Sequence, residues 1–227
     1  MRRNPPHYGK NMKLLRIFLE FLAVALLIVT SYFWFDVPVA VYFQHLVASH
    51  ALLHKYTSHI PDLLFPFVLA VTVFCWTARF LGLSEGSRSG WFLQLCGISV
   101  PLAYAAKSVL QYAFGRPDPR VWLSHPQLSG FHWLQCCIDY RSFPSGHMTV
   151  VAALATVLWQ AYPRYRAVYV CGTALLGLAL VATNYHSVSD VIAGAYLGIS
   201  VSRACSYALA SIHGSIRRPK PELSAHD

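Results

Sequence analysis

An all-α polytopic membrane protein, six transmembrane helices in one bundle with an extra interfacial helix after the first span, is the fold class this sequence predicts. Three observations predict it. Apolar runs recur at close to the roughly 20 residues that cross about 30 Å of hydrocarbon. Charged residues make up 12% and hydrophobic ones 56% of the 227 residues, with a mean hydropathy of +0.43, too little charge to coat a soluble domain. Basic residues fall in short clusters between the runs, where loops belong. The formal charge of +9 therefore reports topology rather than a nucleic-acid partner, since no soluble basic face gathers it. The length suits one membrane domain over residues 1–227, with basic tails at 1–13 and 214–227.

The first tail carries Arg2, Arg3, Lys10 and Lys13, and the run from Leu14 to about Phe35 is apolar apart from Arg16 and Glu20. This is the first span. A charged start before an apolar body also suits a signal peptide, but the run is long for one and no small-residue cleavage site stands out, so an uncleaved anchor is favoured. From Asp36 to His59, Tyr42, Phe43, Leu46 and Leu52 are interleaved with His45, His50, His54 and Lys55, as in an interfacial helix or hairpin. These histidines form no one-faced ligand set with a carboxylate, so no metal is expected.

The second span runs from Pro61 to Leu81, with a kink expected at Pro66, and a polar loop Ser84 to Ser89 follows. The third, Gly90 to Phe114, contains Lys107, an ammonium that lipid does not tolerate unpaired. A long polar loop over 115–146 leads to the fourth span, His147 to Tyr162, then the fifth, Ala167 to Thr183, and the sixth, Val188 to Ile212. Cys75, Cys96, Cys171 and Cys205 sit within apolar runs as small hydrophobes. Cys136 and Cys137 lie in the long loop, where an oxidising compartment would let them pair, although no disulfide framework is visible.

With six spans both tails share one side, which also receives Arg79, Arg88, Arg164, Arg166, Arg217, Arg218 and Lys220. The other side holds Lys55, Arg116, Arg120 and Arg141. Positive charge stays inside, so both termini are expected in the cytoplasm and the protein in the cell's inner (plasma) membrane. The long loop, the stretch Pro144-Ser145-Gly146-His147 and the turn Asn184-Tyr185-His186 then emerge together on the periplasmic or extracellular face. That co-location suggests one site.

The stretch Arg141 to His147 places small and polar groups just before an apolar run. A helix starting near His147 leaves its first N–H groups without intrahelical acceptors and its dipole positive, and Gly146 lets an anion approach the backbone. Ser145 adds a hydroxyl, His147 a proton carrier. The competing reading is an ordinary helix cap at Ser145. His186 and Asp190 are four apart at the start of the sixth span, so on a helix the carboxylate can accept from one imidazole nitrogen and leave the other as a fixed lone pair. That suits an attacking or a proton-transferring histidine. A cap with a surface pair competes here too.

The order Gly115-Arg116-Pro117, Pro144-Ser145-Gly146-His147, then His186 and Asp190 resembles the type 2 phosphatidic acid phosphatase (PAP2) family of integral membrane lipid phosphatases. The resemblance covers about Lys107 to Gly198, and the six-span layout extends it to the whole chain. It implies a cofactor-free, metal-independent phosphatase site similar to that of vanadium haloperoxidases. Carried over, His186 is the nucleophile, Asp190 its orienter and His147 the general acid. Ser145 and the Gly146 amide would bind phosphate, and a looser reading of the family's first motif adds Lys107 and Arg116 as cations. The implied partner is a membrane lipid phosphate or pyrophosphate: phosphatidylglycerol phosphate, undecaprenyl pyrophosphate, phosphatidate or a lipid A phosphate.

Two motifs depart from the family pattern. Its first motif has a lysine, six intervening residues and then Arg-Pro, and in that register before Pro119 this chain has Gln111 and Asp118; Lys107, one helical turn deeper on the same face, could reach the same pocket. Its third motif places Ser-Arg where this chain has Ala179 and Leu180. Arg141 is the candidate substitute for that arginine, and Asn184 a neutral donor. The same intermediate could instead pass its phosphoryl group to another acceptor, making a phosphotransferase. A chain short of one arginine could also bind lipid headgroups without turnover.

Overall fold

The computed structural model describes residues 8–47, 63–83, 88–135 and 138–216. Cys136 and Cys137, the histidines at 50, 54 and 59, most of the loop at 84–89 and the outer parts of both basic tails lie outside these residues. The helices are α1 (Tyr8–Trp34), α2 (Asp36–Val47), α3 (Leu64–Phe80), α4 (Arg88–Phe114), α5 (Pro119–Ser124), α6 (Gly146–Ala161), α7 (Arg166–Ala182) and α8 (Val188–Ile216), with single 3-10 turns in the connections. No strand occurs among the described residues.

Three of the apolar stretches, Leu14–Trp34, Arg88–Phe114 and Pro163–Ala182, are helical, long enough and apolar enough to cross a membrane. Their outward faces are greasy: on α1 alone Phe18, Phe21 and Leu26 are 59%, 54% and 66% exposed. Exposed apolar area on that scale belongs against lipid rather than water. The helices α3 and α6 are apolar but only 17 and 16 residues long. The interior is made by α6, against which α4, α7 and α8 pack, while α3 packs on α4 and α1 on α8. Leu95, Val100, Val150 and Val157 are wholly buried there, with Val68 and Cys75 from α3 and Cys205 from α8.

Glycines set the closest approach. A Cβ at Gly194 would lie 2.5 Å from the Ser145 carbonyl oxygen, and one at Gly198 2.2 Å from that of Thr149. This four-residue repeat of small side chains lets the α8 backbone touch the start of α6, and Ser202 extends the seam by donating to the Ala153 carbonyl at 3.0 Å. Pro66, where a kink was expected, falls instead in the first turn of α3, where its missing N–H has no intrahelical partner to lose. The internal proline is Pro101 of α4.

Replacing Gly198 by valine is expected to cost about 1–3 kcal/mol or more, since backbone oxygen cannot yield. Detergent-solubilised Gly198→Val should lose monodispersity on size exclusion, whereas Gly172→Ala, with nothing within 4 Å of its added carbon, should run as the parent does.

Candidate active site

Local structure brings the two ends of the long loop together. The chain leaves α4 through Gly115, which takes φ +54° and would place a Cβ 1.7 Å from the His132 carbonyl oxygen, so only glycine fits. The next residue, Arg116, pairs in parallel with Arg141, and the Ser142 N–H donates to the Arg116 carbonyl at 2.9 Å. Gln111, one turn from the end of α4, donates its amide to the carbonyls of Arg141 at 2.7 Å and Pro144 at 3.0 Å. The loop therefore returns to α4 just before α6 begins. Ser145 caps α6, its Oγ accepting from the Met148 N–H at 3.4 Å, so the cap reading holds in full. The Ser145 N–H also donates to the Asp190 carbonyl at 3.0 Å, which ties this cap to the start of α8.

Asp190 is 0% exposed and every oxygen it owns is used. Oδ1 accepts from Arg116 Nη1 at 2.6 Å, and Oδ2 from Ser142 Oγ at 2.7 Å and the Ser187 N–H at 2.9 Å. His186 was expected to share a helix face with Asp190 and donate to it directly. Instead His186 stands before α8, which starts at Val188, and its Nδ1 is 3.9 Å from Oδ2, too far for a hydrogen bond. Ser142 stands between them: its Oγ lies 3.3 Å from His186 Nδ1 while donating to Asp190. A protonated Nδ1 can thus donate to Ser142, leaving Nε2 as the lone pair. Burial first, and the neighbouring His147 second, push His186 down to about 3, well below an ordinary imidazole.

His147, in the first turn of α6, faces His186 with ring centroids 6.1 Å apart. Lys107 comes from the side: its Nζ donates to Gln111 Oε1 at 3.0 Å and lies 3.3 Å from where a Cβ on Gly146 would be. Lys107 and Gln111 therefore occupy one pocket together, the lysine reaching from a turn deeper. The Arg141 side chain is exposed and close enough for its charge to bear on Lys107.

Arg116 also differs from expectation. Rather than facing an open cleft it is 3% exposed, donating from Nη1 to Asp190 and, at 2.7 Å, to Ser189 Oγ, and from Nη2 to Asp36 Oδ2 at 2.8 Å. Burial opposes its charge, yet Asp190 and Asp36 outweigh that and hold it more firmly protonated. Its charge is spent on carboxylates. At the position where the family has arginine, Leu180 packs with Met148 and Tyr185 in a small apolar cluster. Arg120 reaches that turn from α5, donating to the Thr183 carbonyl at 2.8 Å and lying 3.7 Å over the Tyr185 ring. Asn184, at φ +55°, donates to the Ala40 carbonyl of α2 at 3.0 Å.

Ser142, Ser189 and Asp36 escaped the sequence reading. Ser142 and Ser189 carry no signal beyond proximity to recognised residues. Asp36 does carry one, since it is a lone carboxylate between apolar runs, the feature that singled out Lys107. Within the long loop Trp122 is buried, His132 is turned to the Leu128 carbonyl, and Trp133 is exposed against Phe131. No group of three His, Cys, Asp or Glu side chains among the described residues is placed to hold a metal ion.

The model of the PAP2 superfamily matches residues 92–212, over half of the chain. The chain belongs to this superfamily. Among curated relatives, the lipid A 1-phosphatase of Rhizobium etli is 39% identical over 91 residues, covering 40% of this chain and 39% of that protein. The lipid A 1-phosphatase of Rhizobium johnstonii is 41% identical over 91 residues, covering 40% of this chain and 37% of that one. The chain thus spans about two fifths of the length of these relatives. The crystal structure of the first transmembrane PAP2 type phosphatidylglycerolphosphate phosphatase from Bacillus subtilis covers 91% of this chain and 98% of its own, at 18% identity and a TM-score of 0.45. Pro144 to His147, His186 and Asp190, the residues on which the family was expected, all lie within the matched span.

The low-lying His186 gives a direct check. Histidine NMR of labelled protein in micelles should show the His186 imidazole still neutral at pH 5, where an ordinary histidine near 6.5 is charged, with protonation only toward pH 3. Titration near 6.5 would show that the ring is not buried as described.

Proposed function

We propose that the chain is a membrane phosphatase that removes phosphate from a lipid phosphate or pyrophosphate through a phosphohistidine on His186. The observation that carries this reading is the facing pair His147 and His186, 6.1 Å apart between centroids, with one ring tied through Ser142 to a buried carboxylate. In the reaction His186 Nε2 attacks phosphorus while Nδ1 keeps its proton toward Ser142. The bond from phosphorus to the leaving oxygen breaks, and His147 gives that oxygen its proton. Water, deprotonated by His147, then attacks the phosphohistidine and releases phosphate with His186 restored. Low basicity favours the neutral, attacking form of His186 across the physiological range.

Ser145, the Gly146 amide, Lys107 and Arg141 form the phosphate cradle, with Arg116 behind it through Asp190. Lys107 is the cation best placed for the developing charge, since it lies beside the Gly146 backbone at the positive end of α6. The lipid character of the substrate is supported by a groove of about 1200 Å³ beside the site, lined by apolar side chains including Met148, Val188, Val191, Leu178 and Ile192. The six helices α1, α3, α4, α6, α7 and α8 form one membrane domain in this reading, with cytoplasmic termini, an inner-membrane location and the site on the outer face. Among substrates the lipid A 1-phosphate group is the first to test, because the curated relatives are lipid A 1-phosphatases.

Purified protein in detergent should release phosphate from at least one of lipid A 1-phosphate, phosphatidylglycerol phosphate, undecaprenyl pyrophosphate and phosphatidate, with vanadate inhibiting and excess EDTA having no effect. Equal release by His186→Ala and parent would sink the assignment. Ser142→Ala removes a buried bond to a charged group and should cost about tenfold to a hundredfold in kcat. Arg141→Ala should raise KM and lower kcat/KM by about tenfold if it binds phosphate, and change little if it is only a surface charge.

A further inference from the structure

We infer that Asp36, the residue at which α1 gives way to α2, is a positioning residue for this reaction, acting through Arg116 and the first turn of α8 on the Asp190 and His186 pair. The inference rests on the phosphatase reading for its kinetic effect only. Asp36 is 2% exposed although it opens a short helix whose neighbouring residues Phe35 and Val37 are more than half exposed. Its carboxylate turns away from α2 altogether. Oδ2 accepts from Arg116 Nη2 at 2.8 Å and from Ser189 Oγ, and Oδ1 accepts from the Ser189 N–H at 3.0 Å.

Two consequences follow from these bonds. First, Asp36 caps α8 from another segment: the Ser189 N–H is one of the first-turn groups without an intrahelical acceptor, and a carboxylate there is favoured by the helix dipole. The residue after Ser189 is Asp190, so fixing this turn fixes the hub of the site. Second, Arg116 lies between two carboxylates, Asp36 and Asp190, and its hold on Asp190 Oδ1 depends on the angle at which Asp36 anchors the other arm of the guanidinium. A planar fork held at both ends has one orientation, whereas a fork held at one end can rotate. Asn184 ties α2 to the same turn, donating to the Ala40 carbonyl, so α2 braces the turn that carries His186 at two points. Asp36 and Ala40 both lie outside residues 92–212, so this brace comes from a part of the chain beyond the matched family core.

The test uses full-length protein in detergent and two readouts. Asp36→Asn keeps the shape but gives up the charge. Its kcat should fall about tenfold to a hundredfold with KM within about twofold of the parent, because the substrate-binding groups are untouched. Independently of turnover, carbethoxylation of His186 by diethyl pyrocarbonate, read by peptide mass spectrometry, should quicken several-fold once the ring is loosened. Asp36→Glu, which restores the charge, should recover part of both. If Asp36→Asn does not fold, Ser189→Ala removes the hydroxyl that accepts from Arg116 and donates to Asp36 while sparing the Arg116–Asp36 pair and the Ser189 N–H bond, and should move kcat and His186 modification in the same directions by a smaller factor. Parent-like modification of His186 overturns the inference whether or not the chain proves to be a phosphatase. Parent-like kcat beside an inactive His186→Ala overturns it while leaving the phosphatase reading in place. Phosphate release equal in parent and His186→Ala, with faster modification in Asp36→Asn, overturns only the phosphatase reading.

Discussion

A carboxylate withdrawn entirely from water survives as an anion only where donors replace its hydration, and Asp190 is the group here whose needs organise its surroundings. The penalty for burying such a charge is several kcal/mol, so each donor that meets it is held in place by the same necessity. Arg116 brings the exit of α4, Ser142 the end of the long loop, and the Ser187 N–H the turn before α8. The Asp190 carbonyl adds the start of α6 by accepting from the Ser145 N–H. Segments that the chain separates by dozens of residues thus meet at one side chain.

Arg116 extends the same logic outward. A guanidinium that is 3% exposed needs counter-charge as much as Asp190 does, and it takes Asp36 as a second partner. Two carboxylates around one guanidinium leave the cluster with a net negative charge, which the Ser189 and Ser187 N–H groups at the positive end of α8 help to offset. The N-terminal ends of α8 and α6 are therefore used differently. That of α8 is occupied by the protein's own carboxylates. That of α6, opening at Gly146 beside Lys107, is where an incoming phosphate finds donors and a cation in the proposed reaction.

The bundle permits this only because α6 and α8 touch. Gly194 lies against Ser145 and Gly198 against Thr149, so the register that buries the apolar seam also sets the distance between the His147 and His186 ends of the two helices. Packing in lipid gains little from apolar burial alone, since the tails outside are as apolar as the side chains inside. Close backbone contact and polar links such as Ser202 to Ala153 carry correspondingly more of the association.

Much of this was legible in the chain. Run lengths and low charge determined the helical membrane class, and the helices α3, α4, α6, α7 and α8 lie within a few residues of the expected spans. Pro144 to His147, His186 and Asp190 determined the family. The depth of Lys107 was legible too, because one helical turn separates it from Gln111 whatever surrounds them. Spacing misled for His186 and Asp190, where a four-residue interval assumed helix and the structure has a turn, leaving room for Ser142 between them. Asp36 was marked only as a lone carboxylate between apolar runs, and neither its partners nor the sequestration of Arg116 could be read from the chain. Periodicity and motif spacing constrain residues within one element, where geometry follows from the backbone. The partners of a buried charge come from wherever the fold brings donors, and here they lie 80 and 153 residues from Asp36. Only the tertiary structure decides which of them arrive.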